Sequence, residues 1–291
     1  AAGIAASPPT AHAMTVAAVD RCIRLIELLA ATPDGCTLTD LASALGSPKS
    51  AVHRMLATLA AHGYVVQDAR TQTYAGSLRL ATLGFRCLDA RHLPDAAQQV
   101  LNELARETQE YCRLALVSGN ELAWVARAQG AAQGLRYEPP MSHAVVLHAT
   151  ASGKAWLATM PENEALAIAC ARGLAAPANA GANVVTSVEA LRRHLADTRR
   201  RGFALAHDEA EDGTWSCAIA FRGGEQDDAP VVGTISVAGP DQRMRRHPVA
   251  WYGSRLSSAA AALSAAWPLQ RRQLPPNQSG AGVPDRHATP A

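Results

Sequence analysis

The sequence predicts an α+β protein in two parts, a winged helix-turn-helix followed by a helical linker and a mixed domain built on an antiparallel sheet. Three observations predict it. Apolar residues recur at helical spacing through residues 16–63, with a glycine between two short amphipathic segments. A β-rich run, Tyr64-Val65-Val66, then faces Tyr74 across the polar tip QDARTQT. Beyond Tyr111, strand-length apolar runs mix with hairpin signals and amphipathic helices, the pattern of an antiparallel α+β domain.

Taken in order, residues 1–15 form a small, proline-containing leader without the basic start and apolar block of a signal peptide, and read as disordered. From Val16 to Ala31 the positions Val19, Cys22, Ile23, Ile26, Leu29 and Ala30 make one helical stripe, closed by Pro33-Asp34-Gly35. In TLTDLASALGSPKSAVHRMLATLAAHG, Thr37 is placed to cap a helix with Asp40 in a capping box, and Gly46 ends it in the left-handed conformation. Ser47-Pro48 supplies a cap and a first-turn proline for the next helix, which buries Val52, Met55, Leu56 and Leu59. Two such helices make a helix-turn-helix.

The second of these helices presents Ser47, Lys49, Ser50, His53 and Arg54 outward from the turns that meet base edges and phosphates in a major groove. No Asp or Glu stands between Asp40 and Asp68 to repel phosphate. The hairpin that follows is the wing, with Arg70 at its tip as a second phosphate contact or simply a solvated cation. The winged unit therefore spans residues 16–76. Residues 77–92 are a linker helix suited to a dimer contact or to packing on the next domain, and Leu93-Pro94 interrupts it before a helix that runs toward Gln109.

Residues 93–267 carry the second domain. Strands are expected at Arg113–Val117, Leu122–Ala126, Leu135–Glu138, Phe203–His207, Trp215–Phe221 and Val231–Ala238. Helices are expected at Ala151–Met160, Glu162–Ala171, Ser187–Arg201, with Val188, Leu191 and Leu195 inside, and Pro248–Trp267. Residues 268–291 are rich in Pro, Gly and polar side chains and read as a disordered tail.

The 291 residues, 48% hydrophobic and 18% charged, describe an ordinary globular chain long enough for one or two cores. A net charge of +2 makes any basic surface local rather than global. Six scattered cysteines without metal spacing point to free thiols in a reducing compartment, and with no membrane-length apolar run the cytoplasm is the expected location.

Catalytic constellations are weak, so no enzyme, cofactor or metal is expected. Asp208, Glu209, Glu211 and Asp212 could form a metal or acid–base site, but a solvated acidic turn is the commoner arrangement. His143, His148 and His207 lack ligand spacing, and His148 reads as a structural hydrogen bonder. Ser152-Gly153-Lys154 matches part of a phosphate loop without its full glycine pattern. Cys217, beside Ser216 in an apolar strand, reads as packing.

Four blocks resemble the IclR family of bacterial transcriptional regulators in order and spacing: SPKSAVHRMLATLAAHGYV, LHATASGKAWLA, RRRGFALAHDE and VVGTISVAGPDQRM. The resemblance covers about Val16 to Trp267. It implies a GAF-like effector-binding domain, dimers that can pair into tetramers, double-stranded operator DNA as partner and a small-molecule effector. By position it places Leu135, Tyr137, Val145, Ala151 and Ser152 on one side of the effector pocket and Ala206, Thr214, Ser216, Ser236 and Ala238 on the other.

The chain departs from the family pattern in that pocket. Members that bind small keto acids carry an acidic residue at Ala206, a cysteine at Ser216 and a serine at Ala238, leaving only Ser236 of the polar set. These losses imply a larger or more apolar effector, such as an aromatic acid, held by Tyr137 and a few hydroxyls. A metabolite sensor without a DNA role, or an enzyme on a GAF-like domain, are the competing readings.

Overall fold

The computed structural model describes residues 16–32, 34–89, 94–134 and 136–267, and separates into two compact units at Pro94. The leader, the tail and Leu135 lie outside the described residues.

In the first unit, α1 (Ala17–Ala30), α2 (Leu38–Ala44) and α3 (Lys49–Ala61) precede a small antiparallel hairpin of β1 (Val65–Gln67) and β2 (Tyr74–Gly76), and α4 (Leu78–Asp89) closes it. This is a winged helix-turn-helix. Its core gathers Leu25 and Leu29 from α1, Leu41 from α2, Val52, Leu56 and Leu59 from α3, and Val65 and Tyr74 from the wing. Local sequence chemistry sets the turns. The Asp40 backbone N–H donates to Thr37 Oγ1 at 3.2 Å, and the Thr37 hydroxyl donates to the Asp40 carboxylate at 2.6 Å. Gly46 takes φ +56°, a left-handed value that an L side chain adopts only with strain.

Two expectations for this unit need correction. Ser47 does not cap α3: Pro48 occupies the cap position in extended geometry, and the Ser47 hydroxyl turns back to donate to the Leu45 carbonyl at 3.2 Å. The buried stripe of α1 runs through Leu25 and Leu29 rather than Val19 and Ile23, which are 55% and 53% exposed. Both faces of α1 carry apolar residues, so periodicity alone could not say which one turns inward.

The second unit opens with α5 (Pro94–Thr108), followed by the hairpin of β3 (Tyr111–Ser118) and β4 (Glu121–Gln129). Next come α6 (Ala151–Leu157), α7 (Glu162–Ala171) and α8 (Val188–Arg201), and then β5 (Ala204–His207), β6 (Thr214–Arg222) and β7 (Val231–Pro240). The short α9 (Asp241–Met244) and α10 (Val249–Ala266) complete it. The five strands form one sheet in the order β4-β3-β7-β6-β5, and every adjacent pair is antiparallel.

Alternation along each strand assigns the sheet's two faces. Ala204, Ala206 and Ala218 face α6, meeting Ala151 and Ala155 in a cluster of small side chains. Cys217 and Phe221 lie on the opposite face, where Phe221 meets Trp267 edge to face at 5.2 Å beside α10. Outside α6, Leu147, Trp156, Leu157, Leu166, Leu191 and Leu195 join α6, α7 and α8 in one core. Gly153 lets α6 lie against the Leu147 carbonyl, where a Cβ would collide.

The structure differs from expectation at four places here. Residues 136–138 form no strand, α6 stops at Leu157, and Val188 is 40% exposed at the first turn of α8. The four-residue α9 was not foreseen, being too short to carry a periodic signal.

Candidate DNA-reading helix and effector cavity

Lys49, Ser50, His53 and Arg54 are all exposed on the first two turns of α3, on the side opposite Val52, Leu56 and Leu59. Ser47, half-buried with its hydroxyl bonded to Leu45, is the one member of the predicted set turned away from this surface. Neither Lys49 nor Arg54 has an ion-pair partner among the described residues, so both charges are available to a polyanion. Arg70 is exposed at the wing tip. Its backbone N–H donates to the Asp68 carboxylate at 2.8 Å, and Thr71 N–H donates to the same oxygen at 2.7 Å. Those bonds, from Thr71 first, hold the Asp68 carboxyl below its ordinary range and fix the tight turn that presents Arg70.

The second unit encloses a cavity between its sheet and α6. Strand register builds the floor: Tyr111 pairs Ala238, Ala238 pairs Ser216, and Ser216 pairs Ala206, so the last three sit side by side on the α6 face. The next row along that face is Arg113, Ser236, Ala218 and Ala204. Ala151 and Ser152 of α6 and Thr214 close one side, and Tyr137 closes another. Thr150 caps α6 by accepting from Gly153 N–H at 3.0 Å.

Eight of the ten predicted pocket residues, Tyr137, Ala151, Ser152, Ala206, Thr214, Ser216, Ser236 and Ala238, therefore line one cavity. Val145 does not: it packs with Leu122, Leu147 and Trp156 and borders a separate surface cleft beside β4. Leu135 is outside the described residues. Ser216 faces the cavity, whereas Cys217 points to the other face, where burial pushes its thiol up to about 12.

The cavity is small, about 30 Å³, room for roughly one or two water-sized groups. Tyr137 narrows it, donating its hydroxyl to Glu211 at 3.0 Å, and Gln129 Nε2 donates to the Tyr137 carbonyl at 3.1 Å. Burial and the Glu211 carboxylate push the Tyr137 phenol above its ordinary range, so it remains a donor.

Sequence reasoning missed several residues at this cavity: Arg113, Trp124, Thr150, Glu209 and Ala210. It also misread the acidic turn. Asp208 is bound by backbone N–H groups of Gly213 and Ala182, but Glu209 is only 3% exposed and is gripped by Lys154 Nζ at 2.7 and 2.8 Å. Burial pushes Lys154 below and Glu209 above their usual ranges, and their mutual contact opposes both shifts. His194 Nδ1 lies 3.1 Å from the same ammonium, and burial, then that charge, holds its imidazole down at about 4. Lys154 is thus a structural cation rather than part of a phosphate loop.

A larger open cleft of about 430 Å³ lies on the far side of Glu209, lined by His194, Asp197, Thr198 and Arg201 among others. His148 is buried, with its Nε2 at 3.2 Å from the Ala175 carbonyl, a structural contact as expected. Among the described residues no cluster of His, Cys, Asp or Glu has metal-site geometry, and no helix is long and apolar enough to cross a membrane.

Known proteins share both units. Residues 18–69 match the IclR helix-turn-helix domain, and residues 85–265 match the C-terminal domain of the bacterial transcriptional regulator IclR. XynR, a helix-turn-helix transcriptional regulator of Escherichia coli, is 27% identical over 253 residues, covering 86% of this chain and 97% of its own length. SauR of Cupriavidus necator, named a probable transcriptional regulator, is 30% identical over 203 residues, covering 70% and 79%. The crystal structure of an IclR regulator from Alicyclobacillus acidocaldarius superposes with a TM-score of 0.70 at 23% identity, covering 87% of this chain and 99% of that one. An IclR homologue from Microbacterium hydrocarbonoxydans, crystallised with 4-hydroxybenzoate, has the same fold at a TM-score of 0.69 and 22% identity, covering 85% and 97%. A family match across most of the chain, joined to a winged helix and a sheet-and-helix cavity in the expected order, settles the affiliation: the chain belongs to the IclR family of bacterial transcriptional regulators.

Proposed function

We propose that this protein is a cytoplasmic, ligand-responsive regulator that binds operator DNA through α3 and the wing and senses a small effector in the cavity under α6. The observation that carries the DNA half is the exposed set Lys49, Ser50, His53, Arg54 and Arg70, with its free cations and no carboxylate on the helix. Lys49 and Arg54 are the phosphate contacts, and Ser50 and His53 are placed for base edges. Ser47 acts through the turn rather than by contact.

The effector half rests on the convergence of predicted and observed pocket residues. Ala206 and Ala238 make the floor apolar, which suits an effector with an aromatic or other relatively apolar body. Such a body exceeds the cavity's volume, so binding displaces Tyr137 and releases its bond to Glu211. No catalytic constellation is needed for this role, and an enzymatic function is not proposed.

The functional unit is a dimer. Leu78 and Phe85 on α4 are 87% and 64% exposed, and Val19 and Ile23 lie uncovered on α1, an apolar surface that a second copy would bury. Two recognition helices then meet successive major-groove half-sites. The test is selection of DNA from a random-sequence pool, followed by anisotropy titration at several salt concentrations. A selected palindromic site whose affinity falls steeply with salt is expected; recovery of no sequence over background would overturn the regulator reading.

A further inference from the structure

The cavity contains a cation with no ion-pair partner among the described residues. Arg113 enters it from the third residue of β3, and its Nε is buried without a hydrogen-bond partner among the described residues. Its guanidinium lies over the Trp124 ring at 3.8 Å and near the Tyr111 ring at 5.6 Å, contacts that fix its plane but supply no counter-charge. Burial lowers its pKa from the ordinary value, yet a guanidinium stays protonated. Of the two nearby carboxylates, Glu209 is held by Lys154, while Glu211 accepts from the Tyr137 hydroxyl and acts on Arg113 only through space, with no ion pair between them among the described residues. Across the cavity, Ser152 Oγ is also buried without a partner.

Buried charges and hydroxyls are normally satisfied, and an exception facing a cavity marks where a ligand completes the set. We infer that Arg113 makes this cavity selective for a monocarboxylate, whose acid group takes the Arg113 guanidinium and the Ser152 hydroxyl while its body lies over Ala206 and Ala238. A planar carboxylate matches the guanidinium fork and forms the strong, charge-assisted bonds that the hydroxyls alone cannot. The single guanidinium fork takes one acid group, and Glu209 and Glu211 nearby would repel a second. This inference rests on the cavity being the effector site, and it moves the acid's anchor from Tyr137 and the serines to a residue that the strand pattern concealed.

The test uses the full-length protein with benzoate and its neutral isostere benzamide, read by calorimetry and thermal shift. Benzoate is expected to bind saturably and to raise the melting temperature, and benzamide is expected to bind at least roughly tenfold more weakly. Arg113→Gln should lose a similar factor for benzoate with DNA affinity unchanged. Arg113→Lys, which keeps the charge but loses the fork, should fall between the two. Equal binding of benzamide, undiminished binding by Arg113→Gln, or no binding of benzoate by the wild type would each overturn the inference. A separate variant, Ala206→Leu, fills the floor. If it left an Arg113-dependent benzoate site intact, the ligand would be held outside this cavity, and it is the effector-site reading that would fall.

Discussion

The two units of this protein handle charge in opposite ways. On the helix-turn-helix unit the cations proposed to meet DNA stand exposed on one helix and one turn, held by local chemistry: a capped helix, a left-handed glycine and a wing turn tied by Asp68. In the effector unit the charges are inside and matched across long stretches of chain. Lys154 meets Glu209 55 residues away, and Arg243 grips Glu110 through two 2.7 Å contacts across 133 residues. The first arrangement suits a partner that brings its own uniform charge. The second builds a frame of long-range pairs, against which Arg113, buried at Nε without a hydrogen-bond partner among the described residues, stands out. Substituting the exposed cations of the first unit should therefore act on DNA binding, and breaking the paired charges of the second should act on stability.

The largest expected effect is at the buried pair. Lys154→Met strands Glu209 in the interior and should cost about 3–5 kcal/mol of stability, measured by urea unfolding of the effector unit's transition. Adding Glu209→Leu should return much of that loss, since a matched apolar pair removes both desolvation costs. If the single substitution were silent, the pair would not be part of the frame.

In the DNA unit, Arg54→Ala should weaken DNA binding by about 1–3 kcal/mol without changing the unfolding midpoint. Lys49→Ala should act similarly, and both losses should be even across DNA sequences, as phosphate contacts are. A comparable loss of stability in either variant would erase the contrast between the units. Thr37→Ala removes the cap of α2 and should cost about 1 kcal/mol, lowering the midpoint of the first unit while leaving effector binding intact.

The smallest effect is a pH dependence. His194 is held neutral, with its folded pKa at about 4 against an ordinary 6.5. Between those values the unfolded chain binds a proton that the folded one refuses. The stability this contributes is complete above pH 6.5 and is lost as pH falls toward 4. The ring is partly exposed and solvent screens it, so the contribution is modest. His194→Gln should flatten that limb of the melting-temperature profile, and an unchanged profile would assign the acid sensitivity to other groups.

This contrast also explains what could be read in the sequence. The helix-turn-helix was legible because its signals are local: Thr37 and Asp40 lie three residues apart, Gly46 marks the turn, and Lys49 to Arg54 share one helical face. Strand periodicity gave the sheet, and the family pattern gave Ala151, Ser152, Ala206, Ser216 and Ala238. Arg113 escaped because a cation in an otherwise apolar strand looks like an outward residue until the register with Ser236 places it over the cavity. Glu209 looked solvated because its partner is 55 residues away. The cap assigned to Ser47 failed at one torsion, since the extended geometry of Pro48 let the chain begin α3 without it.

The division of labour between the units is tested most directly by the salt dependence of DNA affinity in three proteins: wild type, Arg54→Ala and Arg113→Gln. Each phosphate contact contributes about 0.9 to the slope of log affinity against log salt. Arg54→Ala is expected to lower affinity and to flatten the slope by about that amount, while Arg113→Gln leaves both unchanged. An unaltered slope in Arg54→Ala, or an equal loss in Arg113→Gln, would contradict that division of labour.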